Sequence, residues 1–307
     1  FEGYINKVKF YKHKDPYVAS IYNLTIQSHN LSGSVTAIKD SIKFNDISSS
    51  YEFNNQTFTT SEVKGLHVLL SLDSGSNYFH WLCQLLPRIK LLSDYDLNYS
   101  KINGILIPHI SDNIISESFS KLKVPQKLCI NQKHSHIYNF KQMIIPSRPN
   151  RHIYFTQRSL DFLKSTFLKK DYKQNLKLYI FRDPKYGRSI INNNEVWHFL
   201  KKMGYIKVDP DGISISKQAK LFNKASHVIG SHGASLANLS FCQPNTKVIE
   251  FFNQNYITPL YWNLCNILKL KYGYLISRNK DINQSTNKRK NLYIDIDSLK
   301  EIINKLD

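Results

Sequence analysis

Four cysteines in 307 residues, Cys83, Cys129, Cys242 and Cys265, stand far apart, with no CxxC pair and no histidine at a zinc-site spacing. This excludes the common zinc motifs and a disulfide framework, and predicts free thiols in a reducing compartment. No apolar run reaches the roughly 18–20 residues of a membrane span, and no signal peptide is visible. Acidic residues are in short supply: 23 Asp and Glu stand against 42 Lys and Arg, a formal charge of +19. The glycine signatures of nucleotide binding are incomplete, with neither a full G-x-G-x-x-G nor a P-loop ending in Lys-Ser/Thr. A G-x-S-x-G hydrolase elbow is missing too.

What is present suffices for two domains with a sizeable core, since 41% of residues are hydrophobic and 13% aromatic. The positive excess favours anionic partners, whether phosphorylated small molecules, an acidic membrane surface or nucleic acid. No RNP-like aromatic strand stands out, so nucleic acid is not expected. The scattered lysines better suit a peripheral membrane contact or an acidic or phosphorylated glycan.

Residues 1–60 read as β-rich and irregular, with strand formers in "YINKVKFY" and "SIYNLTIQ" separated by the turn residues "HNLSGS". From about residue 66 strands and helices alternate: "LHVLLSLD", "YFHWLCQLLPRIKLLS", "INGILIP", "DNIISESFSKL" and "KQMIIPSRPNRH". Pro146, Pro149 and the basic loop that follows mark a boundary between domains 1–150 and 151–307. Beyond it the alternation restarts with "SLDFLKSTFLK" and "LKLYIFR", and runs through "SHVIG", "ASLANLSF" and "TKVIEFF". The helix in "SISKQAKLFNKA" opens at Ser214 or Ser216, and the last helix is capped by Asp295 or Asp297, with room to pack back on the first domain. "NKRKN" at 287–291 reads as a solvated loop. Such alternation predicts an α/β protein: two doubly wound domains of parallel sheets, preceded by a β-rich segment.

Three stretches and one carboxylate could carry chemistry. "GSHGAS" ends a strand and opens a helix, so Gly230 and Gly233 allow close approach or positive φ. The first helical N–H groups there suit a phosphate, and His232 could add a donor; a tight turn with an incidental histidine is the plainer reading. "NYFHWLCQLLPRI" as a helix places Phe79, Leu82, Leu86 and Ile89 on one face and His80, Gln84 and Arg88 on another. Pro87 inside it normally costs about 3 kcal/mol, which packing alone does not explain. "YIFRDPKYGRSIINNNE" sets Arg182, Lys185 and Arg188 after a strand, well placed for a diphosphate or simply solvated. Glu250 ends the strand "KVIE" and could accept from ribose hydroxyls or neutralise an arginine. The matches Asp94-Tyr-Asp96 and Asp295-Ile-Asp297 sit where a helix ends and where a cap fits, and no metal is assigned to them.

In this order, "NYFHW…LPR", "YI-R…R-I-N-E", "GSHGASLANLSF" and "P-KVIE" resemble glycosyltransferase family 61 over roughly residues 66–275. The resemblance implies a GT-B architecture, with two Rossmann-like domains about a cleft and the donor held by the second. It implies inverting, metal-independent transfer from a nucleotide sugar, usually UDP-linked, to a glycan or glycolipid acceptor, with no further cofactor. Arg182, Lys185, Arg188, Ser231, His232, Gly233, Ala234, Asn238 and Glu250 would bind the nucleotide sugar, with Arg182 and Arg188 neutralising the diphosphate, the helix from Gly233 adding its dipole and Glu250 holding the ribose. Asn77, Gln84 and Arg88 would line the acceptor side. Many relatives carry Asp or Glu where this chain has Gln84. The general base is then expected to be His80, whose ordinary pKa near 6.5 suits the task, or Asp73 at the end of the preceding strand. An inactive, glycan-binding homologue is the alternative that Gln84 leaves open. The Lys- and Asn-rich composition points to capsule or lipopolysaccharide assembly at the cytoplasmic side of a membrane.

Overall fold

A computed structural model describes residues 16–29, 34–40, 42–43, 57–148, 155–277 and 291–306. They group into two compact units, one of residues 16–148 with Asp161–Thr166, the other of residues 155–160 and 167–306. The segments "YINKVKFY" and, but for Asn291, "NKRKN" lie outside the described residues.

In the first unit β1 (Val18–Ser28), β2 (Val35–Lys39), β3 (Ile42–Lys43), β4 (Thr59–Leu69), β5 (Gly104–Ile107), β6 (Cys129–Asn131) and β7 (His136–Pro146) form one sheet. Its order is β3-β2-β1-β7-β4-β5-β6. β7, β4, β5 and β6 run parallel, as the alternation predicts. β1 pairs antiparallel with both β2 and β7, and β2 with β3, so the sheet is mixed rather than wholly parallel. Connection length is the reason: only residues 29–34 separate β1 from β2, too few for the crossover a parallel pair needs. Leu24 and Ile26 of β1, Val35 and Ala37 of β2, and Tyr138, Phe140 and Met143 of β7 share one core with Leu69 and Leu106.

Between β4 and β5 one continuous helix, α1, spans residues 78–94. It is α-helical at Tyr78–His80, π-helical at Trp81–Leu85 and α-helical again at Leu86–Asp94. The Asn77 side chain starts it by accepting from the Phe79 N–H at 2.9 Å. Pro87 explains the widened middle. A proline cannot donate, and its ring crowds the carbonyl four residues back. The π segment ends just before it, with the Leu86 N–H donating to the Trp81 carbonyl five residues back. Trp81 is fully buried and stacks on Phe119 of α2 (Asp112–Lys121).

The second unit is wholly parallel. After α3 (Gln157–Phe167) come β8 (Leu176–Ile180), α4 (Asn193–Lys202), β9 (Tyr205–Val208), α5 (Ile215–Asn223) and β10 (Ala225–Ser231). A 3-10 helix (Ala234–Phe241), β11 (Lys247–Asn253), α6 (Leu260–Leu268), β12 (Lys271–Ser277) and α7 (Ile296–Leu306) complete it. The sheet order is β12-β11-β10-β8-β9. Tyr179, Ile229, Ile249 and Phe251 pack on one face against Val196 and Leu200 of α4 and Leu299 and Ile303 of α7. The alternate residues Leu178, Val228 and Val248, all fully buried, face the other side. The apolar stripe of the last helix lies on β11 and β12 of its own sheet. Asp295 caps it, accepting from the Ser298 N–H at 2.8 Å, and Ser214 caps α5.

Candidate functional site

The second sheet runs outward from β8 to β9 and then returns to add β10 on the other side of β8. Ligands of open α/β sheets lie beyond the strand ends at such a reversal. Arg182 follows β8 there, and His232 and Gly233 follow β10. A cavity of about 160 Å³ opens at this point, lined by Tyr179, Phe181, Arg182, Ser189, Asn193 and Ser231 among others. The Ser231 hydroxyl is buried and has no hydrogen-bond partner among the described residues. Arg182 is anchored by its own loop, with Nε donating to the Gly187 carbonyl at 2.5 Å and Nη2 to that of Tyr186 at 3.0 Å. Its Nη1 lies against Gly233, where any β-carbon would collide with it. Gly233 has φ 174°, extended backbone open to any residue. The glycine is thus required for close approach and not for positive φ, which corrects one of the two expectations. At Gly230 too, the near neighbour is side chain and backbone of Ile180.

His232 is 5% exposed and sits among the rings of Phe252, Tyr256 and Tyr261. Its Nδ1 donates to Glu250 at 2.5 Å, and its backbone N–H donates to the Phe251 carbonyl. The other Glu250 oxygen accepts from the Tyr272 hydroxyl at 2.6 Å. Burial first, then the Glu250 charge, pushes the Tyr272 phenol far up, so it stays a donor. Glu250, expected at the ribose, is 0% exposed. Walled in with both oxygens taken, it fixes the tautomer and tilt of His232 instead. Asn238, expected at the nucleotide sugar, is likewise inside, donating to Gln218 Oε1 and to the Ser235 carbonyl. Lys185 points to solvent and pairs with Asp183 and Asp211 at 3.5 Å each, outside the cavity lining. Arg188, held at φ 58°, lays its guanidinium over Tyr256 at 5.2 Å, and so joins the His232 cluster. Ala234 is half-buried at the start of the 3-10 helix, whose first N–H groups have no partner within it.

The first unit has a reversal of its own, between β4 and β7. Asp73 lies beyond β4, Arg148 beyond β7, and α1 begins beside them. His80 and Gln84 share the predicted face: His80 Nδ1 donates to Gln84 Oε1 at 2.6 Å, which leaves Nε2 with its lone pair. Burial lowers the His80 pKa, Gln84 and Asp73 act to raise it, and Arg148 lowers it. Asp73 itself accepts from the Ser34 hydroxyl at 2.6 Å. Asn77 is exposed and occupied in capping α1. Arg88 is 1% exposed, with Nη1 donating to the Ser71 carbonyl at 3.1 Å. Sequence reasoning missed Tyr256, Tyr261 and Tyr272, whose spacing carries no signal, and passed over Arg148 within the loop it took for a boundary.

A parallel sheet with arginines and a bare turn at its reversal defines an α/β protein. The family model described as Glycosyltransferase 61 matches residues 78–249, more than half of the 307, from the start of α1 into β11. The chain belongs to that glycosyltransferase family. Comparison with curated proteins gave no match.

Proposed function

We propose that the protein is a GT-B, inverting, metal-independent transferase that moves a sugar from a UDP-linked donor to a glycan or glycolipid acceptor. The observation that carries this reading is the meeting of Arg182, Ser231, Gly233 and the His232–Arg188 cluster at the reversal of the second sheet. Fixed donors aimed at developing negative charge are the usual largest contribution to transfer chemistry. Arg182 and Arg188 stabilise the leaving diphosphate, and the open hydroxyl of Ser231 and the first N–H groups of the 3-10 helix add donors. His80 acts as the base. Its Nε2 takes the proton of the acceptor hydroxyl as that oxygen attacks the anomeric carbon and the bond to the diphosphate oxygen breaks. Gln84 serves where relatives have an acid: it orients the imidazole without adding charge.

The same reading places the protein at the cytoplasmic side of a membrane, held peripherally by its positive surface, in capsule or lipopolysaccharide assembly. A thermal-shift panel of UDP, GDP, CMP, TDP and ATP, with and without EDTA, tests it. UDP should raise Tm whether or not EDTA is present, and binding at a hundredfold excess over Kd is worth about 2.7 kcal/mol. Arg182→Ala should abolish the shift. No shift with any nucleotide, together with tight salt-sensitive RNA binding, would overturn the proposal in favour of a nucleic-acid partner.

A further inference from the structure

Among the described residues Arg88 is a buried cation without a counter-ion. Among these residues its Nη1 is engaged by the Ser71 carbonyl, while Nε and Nη2 are buried with no hydrogen-bond partner. Among the described residues no carboxylate pairs with it. Its charged neighbour is instead a second cation, Arg148, with Tyr17 also close by. Burial and then Arg148 bring the Arg88 pKa down to about 9, against a small opposing effect of Tyr17, so the guanidinium is still charged at neutral pH. A desolvated charge facing a like charge is costly, and apolar residues of similar volume commonly do better in such a place. Leu86, Ile89 and Leu92 around it on α1 show that apolar packing was available.

The position gives the cost a purpose. Arg88 follows Gln84 by four residues on α1, and Arg148, which acts electrostatically on both His80 and Arg88, stands exposed just beyond β7, at the reversal of the first sheet. We propose that Arg88 and Arg148 form an oxyanion subsite, and that the acceptor glycan carries a carboxylate or phosphate group bound there. Arg148 meets the oxyanion at the surface, and as it turns aside the two open donors of Arg88 complete the grip from beneath. The acceptor hydroxyl is then set down beside His80. This rests on the transferase reading for the identity of the ligand, but not for the existence of the subsite.

The test is NMR of the arginine Nε–Hε resonances of the full chain, with the Arg88 signal assigned by its loss in Arg88→Met. Inorganic phosphate and methyl glucuronide are titrated separately with the chain saturated in UDP, which separates the phosphate and carboxylate sources. At least one should shift the Arg88 resonance, with affinity falling tenfold or more in Arg148→Ala, an exposed position whose change spares the fold. UDP alone should move the Arg182 resonance and leave Arg88 still. An Arg88 resonance unmoved by both oxyanions would overturn the subsite, whatever UDP does. A UDP response without oxyanion binding leaves the transferase reading standing, and the reverse result removes that reading alone.

Discussion

At the scale of single residues, the functional side chains are set by contacts a few ångströms long. His80 keeps a lowered pKa because burial outweighs the help of Gln84 and Asp73. It is therefore neutral through neutral pH, and activity should fall only as pH drops below that depressed value. Folding follows the same sign: the unfolded histidine takes its proton first, so stability declines as pH falls below the ordinary 6.5. Gln84→Glu puts a carboxylate against Nδ1, and should move the acid limb of the kcat/KM profile upward by about one unit or more. An unmoved limb would remove His80 as the base. Gly233→Ala makes a separate test, because its backbone already suits alanine and only Arg182 stands in the way. UDP affinity, read by calorimetry, should weaken about tenfold, or roughly 1.4 kcal/mol, with little change in Tm.

At the scale of elements, α1 shows how a local rule is broken to build a site. The π segment absorbs Pro87, and within it successive side chains turn through a smaller angle than in an α-helix. Pro87→Ala restores a donor and removes the ring, which lets residues 81–88 relax to α geometry. Tm should hold or rise, while transfer activity falls tenfold or more as His80 and Gln84 lose their alignment with Arg88. Circular dichroism melts and initial rates on the same preparation check this, and an unchanged rate would show that the widened turn is incidental. The segment after Gly233 departs from expectation too: "ASLANLSF" reads as an ordinary helix but winds as a 3-10 helix, with Leu236, Ala237, Leu239 and Phe241 all fully buried. β6, β12 and α6 escaped notice for physical reasons. β6 is three residues long, and β12 is an edge strand with little alternation, so neither prints a clear period-two pattern.

For the whole molecule, charge and length matter more than any one contact. No helix among the described residues is long and apolar enough to cross a membrane, while the net charge is +19. An electrostatic attachment should be salt-sensitive, because the screening length falls from about 10 Å at 0.1 M salt to about 3 Å at 1 M. The full chain should sediment with vesicles containing anionic phospholipid at low salt and be released at high salt, and neutral vesicles should not retain it. Retention by neutral vesicles would instead mean an apolar anchor.

The sequence alone determined the alternation of strands and helices, the pairing of His80 with Gln84 and the strand-end placement of Arg182 and His232. These follow from periodicity and from punctuation by glycine and proline, which are local. It also carried the family, through motifs in a fixed order. Tertiary structure decided what depends on which strands become neighbours. β8 beside β10 brings Arg182 onto Gly233, and β10 beside β11 buries Glu250, the residue expected at the ribose, against His232. β4 beside β7 sets Arg148 near Arg88, far apart in the chain. Burial and pairing are long-range properties of a folded chain, and no window of sequence contains them.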